Sequence, residues 1–260
     1  VTALSPFDVK FAPYGDSEQF ERLIRETDGD IAAVVVEPIQ GVNGFDTPSD
    51  KFLQDLRRVC DDYQIVLISD EVQTGFGRTG EAMWGIEAAG VEADLMVMAK
   101  GLGNGLPIGA VTGSADLMNS MPGGSISTFG GNHLVASGAL ANLEFIINND
   151  LMKNAREQGQ VIRHELESLE SKYRSIIAQV RGKGLMQAVV FADRDGTPRP
   201  DLAASVQTIC KDHGLLVGLG GVDWNVVRLA PPLIISGSEA RLAMNTLRIA
   251  IGELSQPGTS

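Results

Sequence analysis

The sequence predicts an α/β fold: a mainly parallel sheet flanked by helices over residues 1–156, then a smaller α+β domain over residues 157–260. Three observations carry this prediction. Two short apolar runs, residues 31–36 and 64–69, flank a stretch whose apolar positions recur at helical spacing, the pattern of a parallel strand–helix–strand unit. After Asn132 the pattern changes to long helices interleaved with short strands, which marks a separate α+β region. With 260 residues, 43% of them hydrophobic, the chain can bury one sizeable core and a second, smaller one.

The elements follow in order. Residues 17–27 read as a short helix, and Ile31-Ala-Ala-Val-Val-Val36 as a strand buried on both faces. From Pro48, the positions Phe52, Leu53, Leu56, Val59, Cys60 and Tyr63 share one helical face, and Ser49 or Asp50 can cap the first turn. Gln64-Ile-Val-Leu-Ile-Ser69 is a second strand ending at Asp70-Glu71, and the unit is expected to be right-handed and parallel. Residues 95–98 and 108–112 are further short strands. Residues 134–148 and 151–174 are helical. A strand over 185–191, a turn over 194–198, a helix over 201–213, a strand over 226–229 and a helix over 237–253 started by Ser238 complete the pattern. The tail, residues 256–260, is expected to fray. The opening segment, starting at Val1, reads as the middle of a domain, so the chain is expected to be a C-terminal fragment.

Charge and composition exclude several function classes. Twenty-one basic against 33 acidic residues give a net charge of −12, a field that disfavours nucleic acid or an anionic membrane. Cys60 and Cys210 support no disulfide scaffold, and His133, His164 and His213 are too scattered for a zinc cluster. No apolar run can span a bilayer and the first residues lack a signal-peptide pattern, so a cytoplasmic or organelle-matrix protein acting on small molecules is expected.

In an open parallel sheet, ligands bind beyond the carboxyl ends of the strands. Glu37, Asp70 and Lys100 each stand at or just past the end of an apolar run. A lysine at such a place is expected to be partly buried, which makes its amine a better nucleophile toward an aldehyde. Asp70 can hold a proton on a ring nitrogen facing it. Taken singly, such a lysine is more often a surface charge and such an aspartate a cap or ion-pair partner. Gly101-Leu-Gly-Asn-Gly105 does not meet the spacing of a dinucleotide loop.

Six blocks in order then resemble the class III, fold-type-I, pyridoxal-phosphate-dependent aminotransferases. They are Glu37-Pro-Ile-Gln-Gly41, Ser69-Asp-Glu-Val-Gln-Thr-Gly-Phe-Gly-Arg-Thr-Gly80, Ala99-Lys-Gly101, Ser127-Thr-Phe-Gly-Gly-Asn132, Val180-Arg-Gly-Lys-Gly-Leu-Met186 and Arg228-Leu-Ala-Pro-Pro-Leu233. The resemblance implies pyridoxal 5′-phosphate bound between the subunits of a homodimer, with Lys100 holding it as a Schiff base and moving the substrate proton. It implies Asp70 against the pyridine nitrogen, Val72 on one ring face, Gln73 near the phenolic oxygen, and Ser127 and Thr128 contacting the phosphate of the neighbouring subunit. Arg228 would bind a substrate carboxylate. Glu37 is an acid near the site without an assigned role.

Several relatives carry a Glu directly after the first block, where it masks the substrate arginine; Val42 stands there, similar to the alanine–glyoxylate branch. The family's upstream half, including its own phosphate loop, is absent from this chain. The expected activity is ping-pong transfer of an amino group from alanine or an omega-amino acid to glyoxylate, pyruvate or 2-oxoglutarate. The rivals are an aminomutase or decarboxylase on the same scaffold, or a non-catalytic fragment.

Overall fold

A computed structural model describes residues 8–27, 30–121, 123–124 and 126–255; the opening segment and the tail expected to fray lie outside them. Helix α1 (Ser17–Glu26) is capped by Asp16, whose carboxylate accepts the Gln19 N–H, and it buries Phe20 and Ile24. Strand β1 (Ala33–Val36) leads to α2 (Asp50–Tyr63), where Ser49 Oγ accepts the Phe52 N–H at 3.2 Å. Helix α2 ends where Gln64 turns left-handed, and β2 (Val66–Asp70) follows at once. With β3 (Leu95–Met98) and β4 (Ala110–Gly113), these strands form one sheet in the order β1-β2-β3-β4, the first three parallel and β4 antiparallel.

Three helices connect the two sheets: α3 (Ala115–Asn119), α4 (His133–Asn148) and α5 (Leu151–Lys172). The second sheet is antiparallel, in the order β5-β6-β8-β7, from β5 (Ile177–Lys183), β6 (Met186–Phe191), β7 (Gly218–Gly220) and β8 (Val226–Leu229). Helix α6 (Pro200–Asp212) lies between β6 and β7 in the chain, and α7 (Gly237–Leu254) ends the described fold. Strand periodicity divides this sheet between two cores. Val189 and Phe191 of β6 pack with Leu166 of α5, Val206 of α6 and Leu247 of α7. Met186 and Ala188 instead pack with Ile39 and Phe45, from the loop after β1. That loop is thereby wedged against the second sheet.

Two expectations are corrected, and two strands stand where the sequence predicts none. β1 is not buried on both faces: it is an edge strand, with β2 its one neighbour, and Val35 is 66% exposed. Residues 177–183, with their charges and glycines, form β5, because an outer strand tolerates polar side chains on its open face. β7 is too short and glycine-rich to announce itself. Helix α7 is started by Ser236 rather than Ser238, since Ser236 and Glu239 satisfy each other's backbone N–H groups in a capping box.

Cys60 and Cys210 are buried in different cores, which keeps them from pairing, and desolvation pushes each thiol up to about 11. Among the described residues no helix is long and apolar enough to cross a membrane, and no group of three potential ligands could hold a metal ion.

Candidate active site

The parallel register decides which side chains share an end of the first sheet. Val36 pairs with Ser69 and Asp70 with Val97, so Glu37, Asp70 and Lys100 leave the sheet at its common carboxyl end. Asp70 is half-buried, and its Oδ1 accepts the Val72 N–H at 3.0 Å, which fixes the first step of the chain beyond the strand. Lys100 opens a single 3-10 turn, Lys100–Leu102, with φ +36°. A side-chain-bearing residue held there costs on the order of 1 kcal/mol or more. The expected partial burial of Lys100 is not found: the side chain is exposed, because the turn carries it clear of the apolar strand before it.

The residue after Asp70 is the most heavily bonded acid of the site. Glu71 is fully buried, and its carboxylate accepts from Ser69 Oγ at 3.0 Å, Thr74 Oγ1, Gly85 N at 2.7 Å and Ile86 N at 2.9 Å. A buried carboxylate is tolerable only with such partners. It closes residues 71–86 into a loop whose start carries Val72 and Gln73. Glu37 acts one strand over. Its Oε2 accepts the Gly41 N–H at 2.8 Å while its own carbonyl accepts the Tyr14 hydroxyl at 2.8 Å, so it shapes the 37–41 turn.

That turn brings two further predicted residues together. A Cβ on Gly41 would lie 1.9 Å from Gln73 Nε2, so only glycine lets the Gln73 amide lie against this backbone. Arg228, on β8, donates from Nη1 to the Gly41 carbonyl at 2.9 Å and sits over the Phe45 ring, 5.6 Å from its centroid. Its Nε is buried with no partner, and burial pushes the guanidinium down from its ordinary range. Among the described residues no carboxylate pairs with it, and Val42 is 71% exposed. Phe45, Gln73 and Arg228 line a largely apolar cavity of about 720 Å³, with Pro231, Pro232 and Met244. Lys100 and Asp70 do not line it.

Ser127 and Thr128 stand apart, on an exposed segment before α4, where Ser127 Oγ accepts the Gly130 N–H at 3.0 Å. Ile126, Phe129 and Leu134 beside them are 94%, 82% and 74% exposed. His133 is the exposed first residue of α4, behind the cap made by Asn132. Sequence reasoning missed the structural part played by Glu71, Phe45 and Arg78. Arg78 donates to the carbonyls of Leu185 and Pro231, tying the 71–86 loop to the second sheet. Only the acidic pair at 70–71 signalled any of these.

A pocket arginine and a buried acid do not by themselves identify a family, but comparison with known proteins does. Residues 6–251 match the family profile described as Aminotransferase class-III. An acetylornithine aminotransferase of Bacillus subtilis is 40% identical over 243 residues, 93% of this chain and 59% of the relative. That of Thermosynechococcus vestitus is 37% identical over 94% of this chain and 58% of its own length. Among solved structures, an ornithine aminotransferase from Plasmodium yoelii superposes with a TM-score of 0.84 at 32% identity, covering 94% of this chain and 62% of that one. The acetylornithine aminotransferase from Elizabethkingia anophelis gives 0.83 at 34%, covering 93% and 59%. The chain thus spans less than two thirds of each.

The Glu71 network makes a prediction of its own. Glu71→Ala leaves the Gly85 and Ile86 N–H groups without their acceptor and is expected to cost about 3 kcal/mol or more, at about 1.5–3 kcal/mol per charged hydrogen bond. Urea denaturation measures this, and hydrogen exchange should show the amides of 85 and 86 losing protection first. An unchanged midpoint would contradict the role given to Glu71.

Proposed function

Because this chain belongs to the class-III aminotransferases, we propose that the protein transfers the terminal amino group of an omega-amino acid to an oxo acid in two half-reactions. Pyridoxal phosphate serves the class, and the residues present fit it: a lysine and an aspartate at neighbouring strand ends, an amide laid against Gly41, and an unpartnered arginine nitrogen. When bound, the cofactor supplies a carbonyl that condenses with amines and a ring that takes up electrons as a substrate C–H bond breaks. Lys100 would hold it, and its Nζ would move the proton from the substrate carbon. Asp70 would keep the ring nitrogen protonated through its carboxylate. Val72 would pack against the ring, and Gln73 would hydrogen-bond to it.

Arg228 carries the substrate reading. Its desolvated guanidinium, held by the Gly41 carbonyl and Phe45 and forming no salt bridge among the described residues, suits a substrate carboxylate far from the reacting amine. The curated relatives named acetylornithine aminotransferase support a donor of this kind. Alanine as the donor has its own support in an Arthrobacter transaminase solved with alanine bound, 30% identical with a TM-score of 0.85. Ser127 and Thr128 would contact the phosphate from the neighbouring copy in a homodimer, and the exposed Ile126, Phe129 and Leu134 around them support a covered surface there.

Absorbance, kinetics and sedimentation test these proposals. The complete protein with pyridoxal phosphate should show a visible absorbance band that Lys100→Ala abolishes, and should move the amino group of N-acetylornithine to 2-oxoglutarate faster than that of alanine. Arg228→Ala should lower kcat/KM for that donor about 10- to 100-fold. Carbon dioxide release or a shifted amine without amino transfer would instead mark a decarboxylase or a mutase. In sedimentation, Phe129→Asp should shift a dimer toward monomer and weaken cofactor retention together; a dimer unaffected by the change would remove the shared-site proposal.

A further inference from the structure

The turn that carries Lys100 is gripped by one face of α4. Asn142 Nδ2 donates to the Gly101 carbonyl at 2.7 Å and to the Leu102 carbonyl at 3.2 Å. Gly138, one helical turn earlier and on the same face, receives Leu106: a Cβ there would lie 2.2 Å from Leu106 Cδ1. From below, the Phe76 ring packs against Gly101, where a Cβ would approach Cδ2 to 3.0 Å. The Lys100 carbonyl then accepts the N–H groups of Gly103 at 3.2 Å and Asn104 at 3.0 Å. The strained φ of Lys100 is therefore imposed by contacts on the residues that follow it, and the one side-chain hydrogen-bond donor among those contacts is Asn142.

We propose that Asn142 is the positioning residue for Lys100: its amide fixes the left-handed turn and so sets where the lysine Nζ stands relative to the end of β2. The inference rests on the reading of Lys100 as the cofactor-holding lysine. Without the amide, the 3-10 turn would relax toward unstrained φ, and Lys100, exposed and without a side-chain partner in the hydrogen bonds above, would sample other directions. Reactivity at Nζ would fall while the surrounding fold stayed intact.

The test uses the complete protein as wild type, Asn142→Ala, Asn142→Asp and Lys100→Ala. Asn142→Asp keeps the size of the side chain and removes its donors. Capture of pyridoxal phosphate, trapped by borohydride and mapped by peptide mass spectrometry, is timed at Lys100 and at the exposed Lys153 as an internal reference. The Ala and Asp variants should slow capture at Lys100 about tenfold or more, leave Lys153 unchanged, and speed hydrogen exchange of the Gly103 and Asn104 amides, with the melting temperature nearly unchanged. Should Asn142→Ala fail to fold, Asn142→Asp carries the same reading. Capture at Lys100 within about twofold of wild type in a folded variant overturns the positioning role. A wild type that labels Lys100 no faster than Lys153 overturns the cofactor assignment itself.

Discussion

The site depends on a single buried charge. Glu71 has no access to solvent, so its carboxylate must be satisfied inside the protein, and it is satisfied by the Ser69 and Thr74 hydroxyls and the Gly85 and Ile86 amides. Those partners lie on both ends of the loop that follows β2. Once the loop is closed on itself, Asp70, Val72 and Gln73 have no freedom to drift from the end of the strand, and Phe76 is delivered beneath Gly101, beside Lys100. The hydrogen bonds are local in effect, but the residues they arrange reach from the end of β2 to the turn after β3.

The same loop joins the two sheets. Arg78 reaches the carbonyls of Leu185 and Pro231, and the Leu185 N–H returns a bond to the Arg78 carbonyl at 3.0 Å. On the other side, Arg181 of β5 donates to the carbonyls of Asn43 and Gly44, in the loop whose Ile39 and Phe45 pack on β6. Through this docking Arg228 meets Gly41 and Phe45. The carboxylate site proposed for the β8 arginine and the β1-side loop is thus a consequence of packing between sheets, and among the described residues no carboxylate forms a salt bridge with that arginine.

Much of the first sheet was legible because its signals are local. Ser49 capping α2, the apolar stripe through Leu56 and Cys60, and the acid at the end of β2 all depend on neighbours within a few residues. Burial was harder to read: Val35 is exposed because of where β1 sits in the sheet, and Lys100 because of a turn whose geometry is enforced from α4 and Phe76. The bonds of Glu71 to amides 14 and 15 residues on, and the bond of Arg228 to a carbonyl 187 residues earlier, leave no periodicity in the sequence. β5 carries no clear strand signal, since its charged and glycine residues have little β-propensity, and its pairing with β6 outweighs that.

The central claim is that the end of β2 and the turn after β3 are built to face one cofactor ring. A crystal structure of the complete protein with pyridoxal phosphate tests it most directly. The account predicts Lys100 Nζ joined to the cofactor, the Asp70 carboxylate against the ring nitrogen, and the Glu71 network unchanged beneath them. A cofactor bound elsewhere, or a ring nitrogen met by a group other than Asp70, would contradict it.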